Sequence, residues 1–461
     1  MNSLDLFYGV FYRCFTVKPM ALLVFPPVYD FAFYDMFVKP CGLLRIGQWL
    51  SDTGYEVELL NCLDYTDSAG VEIYGEVQRK PNGTGKVFRQ IIEKPPVLKS
   101  VKRKYARYGI PRKTIEKRIS HAHSDIILVG SGMTYWYPGV REVITAVKKV
   151  QPKTPVVLGG VYATLCTDHA EEQAGADFVV NGDGCAGLPA ILQKLQLPVP
   201  KISYPGTQLL LKEGFLDAAA IRLHEGCPHR CSYCASEALC PKFRPGDGGE
   251  LADEVFRIHN TLGIVNFAFY DDALLFKAET GIIPFLEKII ESGLKLNFFF
   301  PNGLHISFLT EEIARLMKKA GCKDLRFGFE SINSEFQNEF GFKYSADMFP
   351  HAIDALRTAG FQDNDLAAYI MAGLPGQMPE EVEETIRTCA DLKVRAFINE
   401  YSPIPKTALW EKSVSLSRFP IAEEPLCHNN SLFALQSDSF TVEDLRRLKR
   451  LALELTRGQN D

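Results

Sequence analysis

Strand-sized apolar runs alternate with amphipathic helical patterns along most of this chain, and that alternation confines it to α/β folds built on parallel sheets. Residues 21–25 read as a buried strand, 43–53 as a helix ended by Gly54, and 56–61 as a second strand. A strand, a helix and a strand in that order favour a right-handed crossover between parallel neighbours. The rhythm returns with strands at 125–131, 155–158 and 177–181 and helices at 139–151 and 169–174. These strands predict a doubly wound, Rossmann-like domain over 20–196, with ligands bound beyond the carboxyl ends of the strands. After a Pro-bearing linker, 197–217, strand runs follow near 219–223, 265–270, 296–300, 324–329, 367–371 and 396–401. Consecutive βα units of this kind predict an open, partial (β/α)6 TIM-like barrel over 218–405, whose site gathers at the strand carboxyl ends. The tail, 406–461, carries an amphipathic helix at 442–455, where Leu445, Leu448, Leu451 and Leu455 form a stripe suited to packing.

Length and composition narrow the functional classes. The 461 residues exceed one ordinary core, so two or three domains are expected. With 46% hydrophobic residues, 23% charged residues and a net charge of −5, the chain has ordinary globular character and no strong nucleic-acid signal. No apolar run approaches the roughly 18 residues that span a bilayer, so no membrane span is expected. Residues 1–19 place Asp5 and Arg13 around a short apolar patch and lack a small-residue cleavage site, so they read as an appendage rather than a signal peptide. Twelve cysteines, mostly isolated, fit reduced thiols and a cytoplasmic location better than a disulfide framework.

A segment at 66–120 interrupts the first domain. Within it, between residues 99 and 118, Lys99, Lys102, Arg103, Lys104, Arg107, Arg112, Lys113, Lys117 and Arg118 face a single acid, Glu116. Such a charge run reads as a solvated helical hairpin or, more sharply, as a patch for the phosphates of a cofactor or substrate. In the tail, Cys427-His428-Asn429-Asn430 reads as an ordinary polar loop, or one that covers the barrel mouth or touches substrate.

The chemistry is concentrated at residues 227–234, Cys-Pro-His-Arg-Cys-Ser-Tyr-Cys. Thiolates from Cys227, Cys231 and Cys234 can each hold one iron of a 4Fe-4S cubane, which leaves the fourth iron without a protein ligand. S-adenosylmethionine can chelate that iron through its amino and carboxylate groups. A zinc site completed by Cys240, His224 or His229 is the competing reading, although structural zinc usually takes two short ligand pairs. Unrelated buried cysteines are a third, against the exposed-loop character of Gly226, Pro228 and Arg230.

Cys-x3-Cys-x2-Cys directly after the first barrel strand, with Tyr233 before the last cysteine, resembles the radical S-adenosylmethionine superfamily. Later segments are similar in order and spacing. The second strand ends in Phe269-Tyr270-Asp271-Asp272, the third is followed by Pro301-Asn302-Gly303-Leu304, and the fourth ends in Phe327-Gly328-Phe329-Glu330-Ser331. Met371-Ala372-Gly373-Leu374-Pro375-Gly376 and Tyr401-Ser402-Pro403-Ile404-Pro405 match the fifth and sixth strand ends, although Lys406 stands where the family pattern has glycine. The resemblance implies that Tyr233, Asp271, Asp272, Asn302, Glu330, Ser331, Gly373, Pro375 and Ser402 bind cofactor, with Cys227, Cys231 and Cys234 as the metal ligands and catalytic centre.

Residues 20–195 resemble the cobalamin-binding domain fused ahead of the barrel in one branch of that superfamily. Phe25-Pro26-Pro27, Gly54-Tyr55-Glu56-Val57, Gly130-Ser131-Gly132-Met133-Thr134, Leu158-Gly159-Gly160-Val161-Tyr162-Ala163-Thr164 and Gly175-Ala176-Asp177 carry the likeness. It implies cobalamin against Ser131, Gly159 and Gly160. The Asp-x-His-x-x-Gly element that supplies a cobalt-binding histidine in other cobalamin proteins is absent. Together the two likenesses imply reductive cleavage of S-adenosylmethionine to a 5′-deoxyadenosyl radical and cobalamin-dependent methylation of an unactivated carbon. They also imply an electron donor such as flavodoxin or ferredoxin, and a small-molecule or macromolecular substrate. Radical cyclisation, rearrangement or oxidation, or a corrinoid- or redox-sensing binding protein, are the alternatives.

Overall fold

The computed structural model describes residues 18–201, 206–341 and 347–457. The expected appendage at 1–19 therefore lies, except for its last two residues, outside the described residues. The first half contains β1 (Met20–Phe25), β2 (Val28–Asp30), β3 (Glu56–Asn61), β4 (Arg89–Ile92), β5 (Tyr105–Tyr108), β6 (Ile126–Ser131), β7 (Val156–Gly160) and β8 (Phe178–Val179). Five of them form a parallel sheet in the order β3-β1-β6-β7-β8. Strand order reverses between β1 and β6, the switch point at which doubly wound sheets open a crevice. Strand β1 is continuously apolar because both of its faces are covered: Leu22 and Val24 join one apolar cluster, Ala21 and Leu23 another.

The basic segment is not a helical hairpin. Helices Ser68–Tyr74 and Arg112–His121 flank an antiparallel sheet of order β2-β5-β4. All four residues of β5, Tyr-Ala-Arg-Tyr, are buried. Arg107 is 1% exposed and its guanidinium spans both oxygens of Glu142, which also accepts from Arg112. Arg118 pairs with Asp67. The acids that pair with Arg107, Arg112 and Arg118 thus come from other elements, which local charge counting cannot see.

The second half holds β9 (Ala219–Ile221), β10 (Asn266–Phe269), β11 (Asn297–Phe299), β12 (Leu325–Glu330), β13 (Leu366–Ala372) and β14 (Arg395–Glu400). They form two parallel three-stranded sheets, β11-β10-β9 and β12-β13-β14. Parallel bridges Phe298↔Cys322 and Leu304↔Phe327 link the two, giving the expected partial barrel. Phe267, Phe269, Phe298, Phe327 and Phe329 pack outward against the helices in one large core. The alternate residues Ala268 and Phe299 face inward, where Phe37 of the first domain meets them and stacks on Phe299 at 4.9 Å. The first domain therefore fills part of the barrel interior.

The expected linker is pinned at its end: the Gln208 amide donates to Glu254 at 2.9 Å and the Leu209 amide to Leu44 O at 3.0 Å. Helix Val442–Arg457 lies on helix Pro379–Asp391 and on β14, and Leu445 and Leu448 are buried, so the leucine stripe is packing. No described helix is long and apolar enough to cross a membrane.

Candidate active site

The cysteine loop leaves β9 at the barrel's carboxyl end. Cys227 and Cys231 are buried and Cys234 is half-buried. The loop is held from below by Asp271, whose carboxylate accepts the Leu223 amide at 3.0 Å and the His224 amide at 2.6 Å. Complete burial pushes the Asp271 carboxyl up to about 7. From the side, the Ser232 amide donates to Phe340 O at 3.1 Å and its carbonyl accepts the Leu409 amide at 3.0 Å. Asp272 is exposed and accepts from Ser236 Oγ at 2.9 Å, and that hydroxyl lies 3.2 Å from Cys234 Sγ.

The donor chemistry fits an iron–sulfur cluster. All three ligands are soft thiols strung along one loop, suited to separate irons rather than one ion. Among the described residues no group of three or more His, Cys, Asp or Glu is arranged to hold a metal ion. The residues that would complete a zinc site turn elsewhere: His224 Nδ1 accepts the Gly246 amide at 3.1 Å, Cys240 Sγ donates to Lys242 O at 3.3 Å, and the His229 ring lies tilted against His305 with centroids 5.0 Å apart.

The remaining strand ends come together around this loop with unequal roles. Tyr233 packs with Phe340, Leu374, Tyr401 and Leu409. Asn302 is exposed and ties its turn to the previous one by donating to Tyr270 O at 3.0 Å. Glu330 ends β12 at a register shift, with a left-handed φ of +59°. Ser331, in contrast, is buried and accepts the Asn333 amide at 3.1 Å. The Gly373 and Leu374 amides are taken by Gln377 Oε1, and Pro375 is buried. Gly373 sits at φ +89°, and a Cβ there would lie 2.3 Å from the Phe433 ring of the tail, so only glycine fits. Ser402 donates to His428 O. Asp272, Asn302, Glu330 and Tyr233 are thus partly accessible, while Asp271, Ser331, Gly373 and Pro375 shape the turns that present them.

In the first domain, Ser131 Oγ donates to Gly159 O at 2.6 Å. Gly160 has φ +98°, and a Cβ would lie 2.4 Å from Ser131 O, so the glycine lets the ends of β6 and β7 close. Thr164, also buried, donates to Gly160 O at 2.8 Å and accepts the Gly182 amide at 3.0 Å, joining the turns after β7 and β8. His169, the histidine of this domain nearest those turns in sequence, bonds to Tyr162 OH at 2.7 Å.

The carboxyl ends of the first domain's parallel sheet and of the barrel strands face each other. Helix Val161–Leu165, after β7, packs against helix Ser236–Leu239, after the cysteines. Lys406 donates to Thr164 O. Glu225, just ahead of the cysteines, pairs with Arg244 at 2.8 Å and with Arg45 of the first domain at 3.5 Å, and Arg244 also lies 3.7 Å from Asp183. The tail completes the junction and is not an ordinary polar loop. His428 Nδ1 lies 2.9 Å from Thr134 Oγ1, and Asn429 donates at 2.9 Å to the buried Asp30, which also accepts from Trp136. Sequence reasoning missed Glu225 and Asp30 as junction residues, whereas Thr164 lies in the segment likened to the cobalamin domain and His428 in the loop read as a possible cover of the barrel mouth. Lys406 gave a further signal, as a departure from an expected glycine. Cavities of 560 and 420 Å³ open instead beside Tyr29, Pro95 and Pro138, away from the cysteine loop.

Comparison with known proteins agrees with this architecture. The family model for the radical SAM superfamily matches residues 221–389 and that for the B12 binding domain matches 100–192. An uncharacterized methyltransferase of Pyrococcus horikoshii is 25% identical over 270 residues, 58% of this chain and 54% of that protein. The hopanoid C-3 methylase of Methylococcus capsulatus is 24% identical over 308 residues, 59% of this chain and 58% of that protein. The chain thus spans little more than half the length of these curated relatives. The radical S-adenosylmethionine methyltransferase TsrM of Kitasatospora setae superposes with a TM-score of 0.66 at 16% identity, over 96% of this chain and 90% of that one, a likeness of fold.

Proposed function

We propose that this chain, whose residues 221–389 match the radical SAM superfamily and whose residues 100–192 match the B12 binding domain, is a cobalamin-dependent radical S-adenosylmethionine methyltransferase acting on an unactivated carbon. The observation that carries the reading is that the cysteine loop and the crevice edge of the first sheet open toward one junction. When bound, a 4Fe-4S cluster supplies the electron for cleaving the sulfonium, and cobalamin supplies a methyl carrier.

The polypeptide's part is to hold and orient. Cys227, Cys231 and Cys234 bind the cluster, and no fourth protein thiolate is needed. Asp272, Asn302, Glu330 and Tyr233 line the S-adenosylmethionine side, with the Gly373–Pro375 turn and Ser402 behind them. Ser131, Gly159 and Gly160 form the corrinoid edge, and Glu225, paired with Arg45 of the first domain and with Arg244, which also reaches Asp183, keeps the cysteine loop registered against it. An external one-electron donor of flavodoxin or ferredoxin type completes the system.

The test is anaerobic reconstitution of the full chain with iron, sulfide and hydroxocobalamin, followed by reductant and S-adenosylmethionine. Bound corrinoid in the visible spectrum together with 5′-deoxyadenosine supports the reading. An intact cluster that leaves S-adenosylmethionine uncleaved defeats the radical assignment, and a chain that binds no corrinoid defeats the methyl-transfer part.

A further inference from the structure

The turn after β14 contains Lys406 in a left-handed conformation, φ +66°, which glycine adopts freely and lysine does not. Backbone strain of this kind persists where surrounding contacts enforce it. From this conformation the ammonium donates to Thr164 O across the domain junction. Thr164 is a hub: its hydroxyl fastens Gly160 O of one turn and the Gly182 amide of the next. One cation on the barrel therefore holds the threonine that holds both crevice turns. The same segment donates a second link, from Ser402 to His428 O, and His428 reaches Thr134 after β6. Three turns of the first sheet's binding edge are thus referred to a single turn of the barrel.

We infer that Lys406 is a positioning residue that sets the spacing and order of the crevice turns relative to the barrel mouth, and thereby the affinity for corrinoid. The inference rests on the cobalamin reading above. Lysine reaches where the glycine of the resembled pattern cannot, and the charge matters because a charged donor to a carbonyl is stronger than a neutral one.

Three variants of the full chain separate charge from backbone: Lys406→Arg, Lys406→Met and Lys406→Gly. Lys406 is exposed, so none of them opens a core cavity. Amide hydrogen exchange across 160–165 and at Gly182, measured without cofactors, is expected to rise about tenfold in Lys406→Met and Lys406→Gly and to stay near the parent rate in Lys406→Arg. Absorbance titration with hydroxocobalamin is expected to show affinity about fivefold or more weaker in the same two variants, with Lys406→Arg restored. Unchanged exchange in Lys406→Met and Lys406→Gly overturns the pin, whether or not corrinoid binds. Raised exchange with unchanged corrinoid affinity overturns the positioning role. Parent-like behaviour of Lys406→Gly alone also overturns it, because the turn and not the ammonium then matters. If the parent chain binds no corrinoid, the functional reading fails while exchange still decides the pin.

Discussion

Mild acid should loosen the tail segment that joins the two domains, and His428 sets the size of the effect. Its ring is 2% exposed, with Nε2 2.8 Å from Ile421 O and Nδ1 2.9 Å from Thr134 Oγ1. A carbonyl only accepts, so Nε2 carries the hydrogen and Nδ1 accepts from the threonine, which is the neutral ring. Burial pushes its pKa down from 6.5 to about 4. With the folded pKa below the unfolded one, the unfolded chain takes up the proton first. The contribution is complete above pH 6.5 and is lost as pH falls through 4. The full loss is roughly 3 kcal/mol, of which roughly 2 kcal/mol is gone by about pH 5. His169, Glu424 and Asp30 lie around the same segment, so the measurement is a difference. Urea unfolding of the parent and of His428→Gln is followed from about pH 7.5 to about pH 5. The parent should lose its advantage over His428→Gln across that range by roughly 2 kcal/mol. A flat difference refutes the buried neutral histidine.

Replacing Cys227, Cys231 or Cys234 singly by alanine should abolish stable cluster incorporation, read as iron and sulfide per chain after anaerobic reconstitution, whereas Cys240→Ala should retain it; equal loss in Cys240→Ala would argue for a four-ligand site. Gly160→Ala forces a Cβ to 2.4 Å from Ser131 O at φ +98°, which should cost roughly 1–3 kcal/mol in a denaturant melt and weaken hydroxocobalamin binding. Asp271→Asn leaves one carbonyl oxygen for two backbone donors, a loss of roughly 1–3 kcal/mol. Because the folded Asp271 pKa of about 7 lies above its ordinary 3.8, the parent's advantage over Asp271→Asn should be greatest below about pH 4 and shrink as pH rises through 7. Stability curves of the two proteins that run parallel over that range would show the carboxyl to be ionised throughout.

The parallel sheet of the first domain, the barrel strands and the cysteine loop were legible in the amino-acid sequence because they rest on local signals. Continuous apolar runs mark strands covered on both faces, as in β1, and Cys-x3-Cys-x2-Cys carries its donor chemistry within eight residues. Sequence order placed most of the expected binding residues at or just beyond strand ends but could not sort exposed Asp272 and Asn302 from Asp271 and Ser331, which turn inward onto backbone amides. That sorting depends on which way a side chain points after packing. The basic segment misled for a related reason: Arg107 is neutralised by Glu142, 35 residues away, and a charge run has no means of announcing a distant partner. Tertiary structure alone decided that the binding edges meet, through Lys406 on Thr164, His428 on Thr134 and Arg45 on Glu225. Those contacts join residues far apart in the chain, and only closure of both domains brings their atoms within reach.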